Sequence, residues 1–424
     1  MLSRWRPYLL GILGVAVITF PFLWLVLKPD YNRNTVAVAW APLHGLQFFT
    51  DLFPVFVIGF LIWLGIRANR HFGWDKALAQ RPGWQQAGQI WNNYWAWGTM
   101  PLVLSGSLFL SASSLSLLTN VGIYMLLALG LNITVGMTGL LVLGYAGFYA
   151  FGAYFFALSQ ENLPYFPWWL AAPLAFFLGG GAGYLLGLPC LRLRGDYLAI
   201  VTLGFAEAFR ELMRNLDFTG ADKGIILNDS SLFRGFAYLN HNQMGYLLTA
   251  LILFLAVFLV QRLYHSPIGH AWVAIRENEV AAESVGVPVV QMKLLAFSLS
   301  AAIAAVAGVI YGAKDGFVSP AMCEFQQSIM ILAMVILGGL SNSYGALLGA
   351  ALLYLVPEYL KLLPSTIQDN ATLSAITPTF LRNSLQDLSD YRLLLFGAVM
   401  VLMMLYRPQG LLGSSRRKTE MQHS

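Results

Sequence analysis

Four charged side chains in an otherwise apolar stretch are the first candidates for chemistry. Glu207, Arg210, Glu211 and Arg214 follow the spacing i, i+3, i+4 and i+7 within LRLRGDYLAIVTLGFAEAFRELMRN, so they share one helix face and can pair. Glu207 lies ten residues after Tyr197, about 15 Å along a helix, which predicts a depth near mid-membrane. Charges at such depth usually face a bundle interior or water. The pattern therefore fits a structural ion pair, a helix that simply emerges early from the membrane, or a solute path lined by Glu207 and Arg210.

A polar segment between two long apolar runs is the second candidate. It spans His270–Val287 and reads HAWVAIRENEVAAESVGV, which predicts a short amphipathic helix. Gly286 and Pro288 are expected to end it, because glycine adopts the left-handed cap and proline cannot continue a helix. The segment is either a solvated loop or a docking helix on which a soluble partner pushes. Its candidate contact residues are Trp272, Ile275, Arg276, Glu277, Glu279, Ala281, Ala282 and Gly286.

A docking helix needs an apolar strip that seats in a groove and charges that fix its orientation. Trp272 and Ile275 are three residues apart, so both are expected to project into the partner. Arg276 and Glu279 have the same spacing and are expected to meet complementary charges there.

The third candidate is a glycine-rich stretch at membrane depth, Leu129–Tyr154, which reads LGLNITVGMTGLLVLGYAGFYAFGAY. Glycine lets helices approach closely and lets a helix break without a side-chain clash. Close helix packing alone would explain the pattern. The alternative is a broken helix pair that lines a solute path, because non-helical backbone at this depth must be buried in protein or line a cavity. The candidate pathway residues are Asn132, Thr134, Gly136, Gly139, Gly144, Gly147 and Gly152.

Patterns typical of catalysis or metal binding are missing from the sequence. The six histidines are scattered, and the chain contains no His pair at i, i+4, no Cys-x-x-Cys and no Walker-type phosphate loop. We therefore expect no metal site, no bound cofactor and no ATP hydrolysis by this chain.

The amino-acid composition predicts which kind of secondary structure positions these residues. The chain is 58% hydrophobic and only 11% charged, whereas soluble domains carry roughly 25% charged residues. With a mean hydropathy of +0.64, the sequence predicts an all-α, polytopic transmembrane helix bundle. Runs near the roughly 20 residues needed to cross a bilayer suggest about ten to twelve spans. A tight polar turn, ILGGLSNSYGA at Ile336–Ala346, is expected to join two of them.

The distribution of basic residues predicts the orientation. Arginine and lysine cluster in the gaps that would all fall on one side, which is the positive-inside pattern and not a nucleic-acid surface. Both termini are therefore expected to be cytoplasmic, with 218–240 and 363–390 external. Three regions follow: residues 1–99 with two spans and a Trp-rich cytoplasmic linker, a helical core at 100–413, and a basic cytoplasmic tail at 414–424.

Several motifs together resemble one known family. LNITVGMTGLLVLGYAGFYAFGAY, LRLRGDYLAIVTLGFAEAFR, PIGHAWVAIRENEVAAESVGV, GFVSP, VILGGLSNSYGALLGA and YRPQGLL resemble the permeases of high-affinity branched-chain amino acid ABC importers, especially the M-type subunit. The resemblance covers roughly residues 115–412. It implies a type II-like permease fold and a role as the transmembrane subunit of an ATP-driven importer of branched-chain (aliphatic) amino acids in the bacterial inner membrane.

The same resemblance implies partners. They are a homologous second permease, two cytoplasmic ATPase subunits that use ATP, and a periplasmic substrate-binding protein, all assembled in a lipid bilayer. His270–Gly286 matches the segment that docks in the ATPase groove, although Glu279, Ala281, Ala282 and Gly286 follow the family's EAA-type spacing only loosely.

Two other functions stay open at this point. Permeases for urea or short amides share these motifs. An ion-coupled secondary transporter would need acidic groups at membrane depth, for which Glu207 is the strong candidate.

Overall fold

The computed structural model describes residues 112–162, 168–190, 196–227 and 241–369, with isolated residues 397, 401, 410 and 411. All of them belong to one compact unit. The N-terminal extension 1–99, its boundary with the core and the tail 414–424 lie outside the described residues, so this domain division stays a prediction.

Helices dominate the described residues. In chain order they are α1 (Ala112–Leu131), a π-helix (Asn132–Thr138), α2 (Tyr145–Asn162), α3 (Trp168–Cys190), α4 (Asp196–Asn215), α5 (His241–Tyr264), α6 (Pro267–Glu277), α7 (Glu279–Ser284), α8 (Val289–Asp315), α9 (Phe325–Gly338) and α10 (Ser343–Asp369). Short 3₁₀ turns lie at Asp217–Thr219, Ala221–Lys223 and Pro320–Cys323.

Apolar helices of membrane-spanning length confirm the predicted polytopic α-helical bundle. Within the described ranges, four stretches qualify by length and composition: Ser113–Thr138, Leu170–Pro189, His241–Tyr264 and Val289–Asp315. Two shorter apolar helices, Phe325–Gly338 and Ser343–Glu358, accompany them. The expected total of about ten to twelve spans depends on residues outside those ranges.

Helix α8 forms the centre of the bundle, with α2 and α3 packed along it. Small residues make these contacts close: a Cβ on Gly152 of α2 would collide with the carbonyl of Ala305, and one on Gly183 of α3 would press on Ala301. Ser298 Oγ of α8 also donates a hydrogen bond to Gly180 O of α3 at 2.7 Å. Such backbone proximity is typical of membrane helix interfaces.

Hydrogen bonds to α8 show that the chain changes direction between α1 and α2, inside the bundle. Tyr145, the first residue of α2, donates from Oη to Ser300 O at 3.2 Å. Ser300 lies eleven residues after Val289, about 16 Å along α8. At the other end, Lys314 Nζ donates to Asn120 Oδ1 of α1 at 2.8 Å. Helix α1 therefore starts at the Asp315 end of α8 and runs towards the Val289 end.

A small sheet closes the Asp315 end of α8. Strands β1 (Ile225–Ile226) and β2 (Phe317–Val318) pair antiparallel, with Ile225 opposite Val318. The segment predicted to be an external cap thus contributes one strand, while residues 228–240 lie outside the described ranges.

Candidate functional site

The predicted docking helix is two helices. Asn278 has an extended backbone (φ −157°, ψ 109°) that ends α6 and begins α7. Its Oδ1 accepts a hydrogen bond from Ala281 N at 3.0 Å, which is a standard N-cap. The expectation of one continuous helix was wrong because this asparagine side chain satisfies a new helix start. Gly286 adopts φ +88° after the end of α7, as predicted.

The apolar residues predicted to enter a partner's groove are buried in this chain. Trp272, Ile275 and Ala282 are almost fully inaccessible. The indole of Trp272 donates from Nε1 to Met292 O of α8 at 2.8 Å. The prediction that Trp272 and Ile275 seat in a partner is therefore wrong: they attach the segment to its own bundle.

An ion pair forms a second attachment. Lys293 of α8 contacts Glu279 of α7, with 2.7 Å between Nζ and Oε1. Lys293 is largely buried whereas Glu279 is half-exposed. Glu279 thus holds α7 against α8 and does not point freely towards a partner.

The exposed side of the segment carries a different set of residues. Val280 is 73% and Val285 79% exposed, and Glu277, Ala281, Glu283 and Gly286 are exposed as well. We call Glu277, Val280, Glu283 and Val285 the coupling surface. Sequence reasoning missed Val280; the Asn278 cap is the signal that could have separated the two helices and their faces.

Arg276 points into the chain. Its Nη1 donates to Gly136 O of the π-helix at 2.7 Å and to Ser341 Oγ of the turn between α9 and α10. Ser341 Oγ in turn donates to Gly136 O, and Ser341 N donates to Asn132 Oδ1 at 3.1 Å. We call Arg276, Gly136, Ser341 and Asn132 the Arg276 junction. The expectation that Arg276 meets charges on a partner was wrong.

The predicted helix break is confirmed. All seven residues of the π-helix Asn132–Thr138, including Thr134, are buried. Gly139 follows in the left-handed region at φ +73°, its N–H bonded to Thr134 O, and the backbone stays non-helical until Tyr145. The polar turn predicted at Ile336–Ala346 is also confirmed, since α9 ends at Gly338 and α10 begins at Ser343.

The glycines beyond the break lie at helix contacts. A Cβ on Gly144 would collide with the Thr202 carbonyl of α4, and one on Gly147 would lie 3.2 Å from Ala206 Cα. Gly152 contacts α8, as described above. Leu143 N also donates to Thr202 Oγ1 at 3.2 Å. These glycines set the spacing of α2 from α4 and α8, as the packing interpretation predicted.

The Glu207–Arg210 pair exists but not in the interior. Arg210 Nε lies 3.0 Å from Glu207 Oε1, and the two side chains are 27% and 48% exposed, respectively. Arg210 also lies 4.0 Å from Glu324, the residue before α9. The predicted placement in the bundle interior was wrong, because both side chains are partly exposed. The predicted depth near mid-membrane stays a prediction.

The exposed stripe of α4 changes character along its length. Tyr197, Ile200 and Val201 form its first half, whereas Glu207, Glu211 and Arg214 form its second half. Arg214 pairs with Asp222 of the 3₁₀ turn Ala221–Lys223, with 2.9 Å between Nε and Oδ1. Among the described residues, no group of three or more His, Cys, Asp or Glu side chains is placed to hold a metal ion.

Comparison with known proteins agrees with this architecture. The family described as "Branched-chain amino acid transport system / permease component" matches residues 113–404. The high-affinity branched-chain amino acid transport system permease protein LivM of Salmonella typhimurium is 39% identical over 329 residues, which cover 72% of this chain and 71% of that protein. LivM of Escherichia coli K12 is 37% identical over 345 residues, covering 76% and 75%.

A more distant relative is named for another import system. The autoinducer 2 import system permease protein LsrC of Yersinia enterocolitica is 28% identical over 200 residues, covering 46% of this chain and 54% of that protein. No solved structure matches the chain. Its M-type resemblance is confirmed by the two LivM proteins, and the chain belongs to the family of permease components of branched-chain amino acid transport systems.

Proposed function

We propose that this chain is the transmembrane permease subunit of an ATP-driven importer of branched-chain amino acids. The observation that carries the proposal is the α6–α7 segment, which is tied to α8 on one side and presents the coupling surface on the other. Similarity to the two LivM permeases supports the substrate class. ATP is used by separate ATPase subunits, and this chain binds no cofactor of its own.

The coupling surface is the proposed contact for one of two cytoplasmic ATPase subunits. Val280 and Val285 supply exposed apolar area, while Glu277 and Glu283 supply negative charge. A groove that receives this surface needs an apolar seat and basic residues at its rim. Substitution Val280→Glu should release the ATPase subunits without loss of membrane insertion, whereas Val290→Glu, on an exposed valine at the start of α8, is the matched control.

The exposed stripe of α4 is the proposed boundary with a homologous second permease and with the solute route. Charged side chains such as Glu207 and Glu211 do not face lipid, because burying charge in hydrocarbon is costly. They must therefore face water or protein. The packing of Gly144 and Gly147 against α4 fixes where this stripe lies. A periplasmic substrate-binding protein would deliver the amino acid at the end of the bundle near Glu324, the residue before α9.

The proposal includes an orientation in the bacterial inner membrane. The α6–α7 segment lies on the cytoplasmic side, and both termini lie there too, as the basic gaps predict. Reporter fusions at Ser424 and within 218–240 should report cytoplasm and exterior, respectively. The reverse pattern would contradict the orientation and, with it, the contact between the coupling surface and ATPases.

The substrate class is tested by uptake in a reconstituted complex of this chain, its second permease and the ATPases. With the matching binding protein, ATP should drive accumulation of radiolabelled leucine, while radiolabelled urea stays at background. ATP-driven uptake of urea without leucine would replace the proposed substrate by a short amide. Leucine uptake that persists without ATP but requires an ion gradient would show a secondary transporter instead.

A further inference from the structure

The α6–α7 segment has polar attachments to two different parts of the bundle. Trp272 and the Glu279–Lys293 pair attach it to the first turns of α8. Helix α6 also packs against the π-helix, and Arg276 donates hydrogen bonds to the π-helix and to the turn at Ser341. A movement of the segment therefore reaches both α8 and the end of α1, and Arg276 forms the hydrogen-bonded link to the latter.

The chemistry of the π-helix end explains why an arginine suits this position. Gly136 lies in the last turn, where carbonyl groups lack intrahelical donors. The end of a helix also carries partial negative charge, which a cation stabilises. The Arg276 guanidinium supplies both the donor and the charge. Both bonds leave the one nitrogen Nη1, and the planar guanidinium fixes the directions of its N–H groups, whereas the ammonium of a lysine rotates freely.

The surroundings leave the guanidinium little freedom. A Cβ added to Gly139 would lie 3.1 Å from Arg276 Cγ, and Gly139 itself needs its φ of +73°. A Cβ on Gly136 would collide with Asn132 Oδ1 and crowd Ser341 N. Ser341 is held at φ +66°, a conformation uncommon for residues other than glycine. Displacement of Arg276 must therefore displace the π-helix or the turn.

The π-helix has a reason to adopt a second arrangement. Asn132 is fully buried, and its Nδ2 has no hydrogen-bond partner among the residues that the structure describes. A buried donor without a partner costs free energy, so an arrangement that satisfies it competes with the one described. π-Helical turns within α-helices are frequent at functional sites, and coupling between sites requires an element of this kind with two discrete arrangements.

We propose that Arg276 is the positioning residue through which movement of the α6–α7 segment changes the arrangement of the π-helix at the end of α1. This inference rests on the proposed function, in which ATPases move that segment. The π-helix then acts as the cytoplasmic gate of the solute route, and the bonds from Arg276 to Gly136 O and Ser341 Oγ link ATP hydrolysis to its opening.

The test measures leucine imported per ATP hydrolysed in the reconstituted complex. The variants are Arg276→Gln, Arg276→Lys and Ser341→Ala, with Arg262→Gln as control, because Arg262 is an exposed arginine near the end of α5 outside the junction. Co-purification of the ATPases is recorded for each. A misfolded permease lowers hydrolysis and uptake together, whereas a broken link lowers their ratio.

We expect Arg276→Gln to retain the ATPases and to lower the ratio by about tenfold or more, since it removes charged hydrogen bonds. Arg276→Lys should recover part of the lost ratio of leucine to ATP. The ratio of Ser341→Ala should lie between those of Arg276→Lys and the wild type. Arg262→Gln should match wild type. If Arg276→Gln fails to assemble, the lysine and Ser341→Ala variants decide.

The role of Arg276 would be overturned if the assembled Arg276→Gln complex kept an unchanged ratio of leucine to ATP. It would also be overturned if the assembled Arg276→Lys and Ser341→Ala complexes both showed the wild-type ratio. A wild-type complex that does not bind ATPases or import leucine would instead contradict the proposed function.

Discussion

Helices α3 and α4 are adjacent in sequence, and each exposes a stripe of large side chains, yet the two stripes differ in kind. On α3 the exposed residues are apolar throughout, as with Phe177, Leu178, Leu185 and Leu188. On α4 the stripe begins with Tyr197 and Ile200 and continues with charges such as Glu207 and Glu211. Exposure alone does not separate a lipid-facing surface from one that faces water or protein. The charged side chains on α4 make that distinction, because they do not face lipid.

In the proposed function, α3 faces lipid and α4 faces the second permease and the solute route. Among the described helices, α3 contains a membrane-spanning stretch by hydropathy and α4 does not qualify as one. A helix with this composition is stable in a membrane when its polar stripe is covered by protein or water.

The largest expected effect comes from placing a carboxylate on each stripe. Phe177 and Ile200 are 73% and 62% exposed. Phe177→Asp should cost about 3 kcal/mol or more, because a carboxylate near the centre of a lipid-facing helix is that unfavourable. Ile200→Asp should cost much less. The measurement is the yield of folded protein from membranes together with thermal unfolding in detergent; equal losses for the two variants would break the comparison.

A second, smaller effect concerns transport. A Cβ on Gly204 of α4 or on Gly181 of α3 would meet no atom of the described residues within 4 Å, so both sites have room for a leucine in this part of the chain. Gly204→Leu should still lower leucine uptake by about tenfold, because the new side chain would fill the boundary proposed for the solute route. A tenfold loss corresponds to a rise of about 1.4 kcal/mol in the activation free energy of transport. Gly181→Leu should leave uptake near wild type. A reversed result would place the route along α3.

The smallest effect is on the stability of the exposed ion pair. A double-mutant cycle on Glu207→Ala and Arg210→Ala should give a coupling energy of at most about 1 kcal/mol, because exposed pairs contribute little. Thermal unfolding of the four proteins measures it. A coupling of about 3 kcal/mol or more would indicate a buried pair and would remove the distinction between the stripes.

Features with local causes were predictable from the sequence. The i, i+3 spacing predicted the Glu207–Arg210 pair, Gly286 predicted the helix end, and the glycines around Gly139 predicted the break. Each depends on residues within a turn or two of one another.

Features that depend on distant residues were missed. Trp272 finds its acceptor on Met292, and Arg276 finds Gly136, 140 residues earlier in the chain. Helical spacing shows which residues share a face but not which neighbour that face meets. For the same reason, the contact of Arg210 with Glu324 could not be read from the spacing of charges within α4.

Spin-label accessibility tests the central claim most directly. The variants Gly181→Cys and Gly204→Cys place the label at comparable levels along α8. On α3, Gly180 accepts a hydrogen bond from Ser298 of α8. On α4, Thr202 accepts a hydrogen bond from Leu143, two residues before Tyr145, which bonds to Ser300 of α8. Cys190 is replaced by serine. Buried Cys323 stays unlabelled, because burial raises the pKa of its thiol to about 12.

In the complex reconstituted in lipid vesicles, collisions with oxygen and with a water-soluble nickel chelate are compared. The label on α3 should collide strongly with oxygen and weakly with nickel, as expected in lipid. The label on α4 should be shielded from oxygen. Equal and strong oxygen collision at both positions would show that α4 also faces lipid and would contradict its role as the boundary of the solute route.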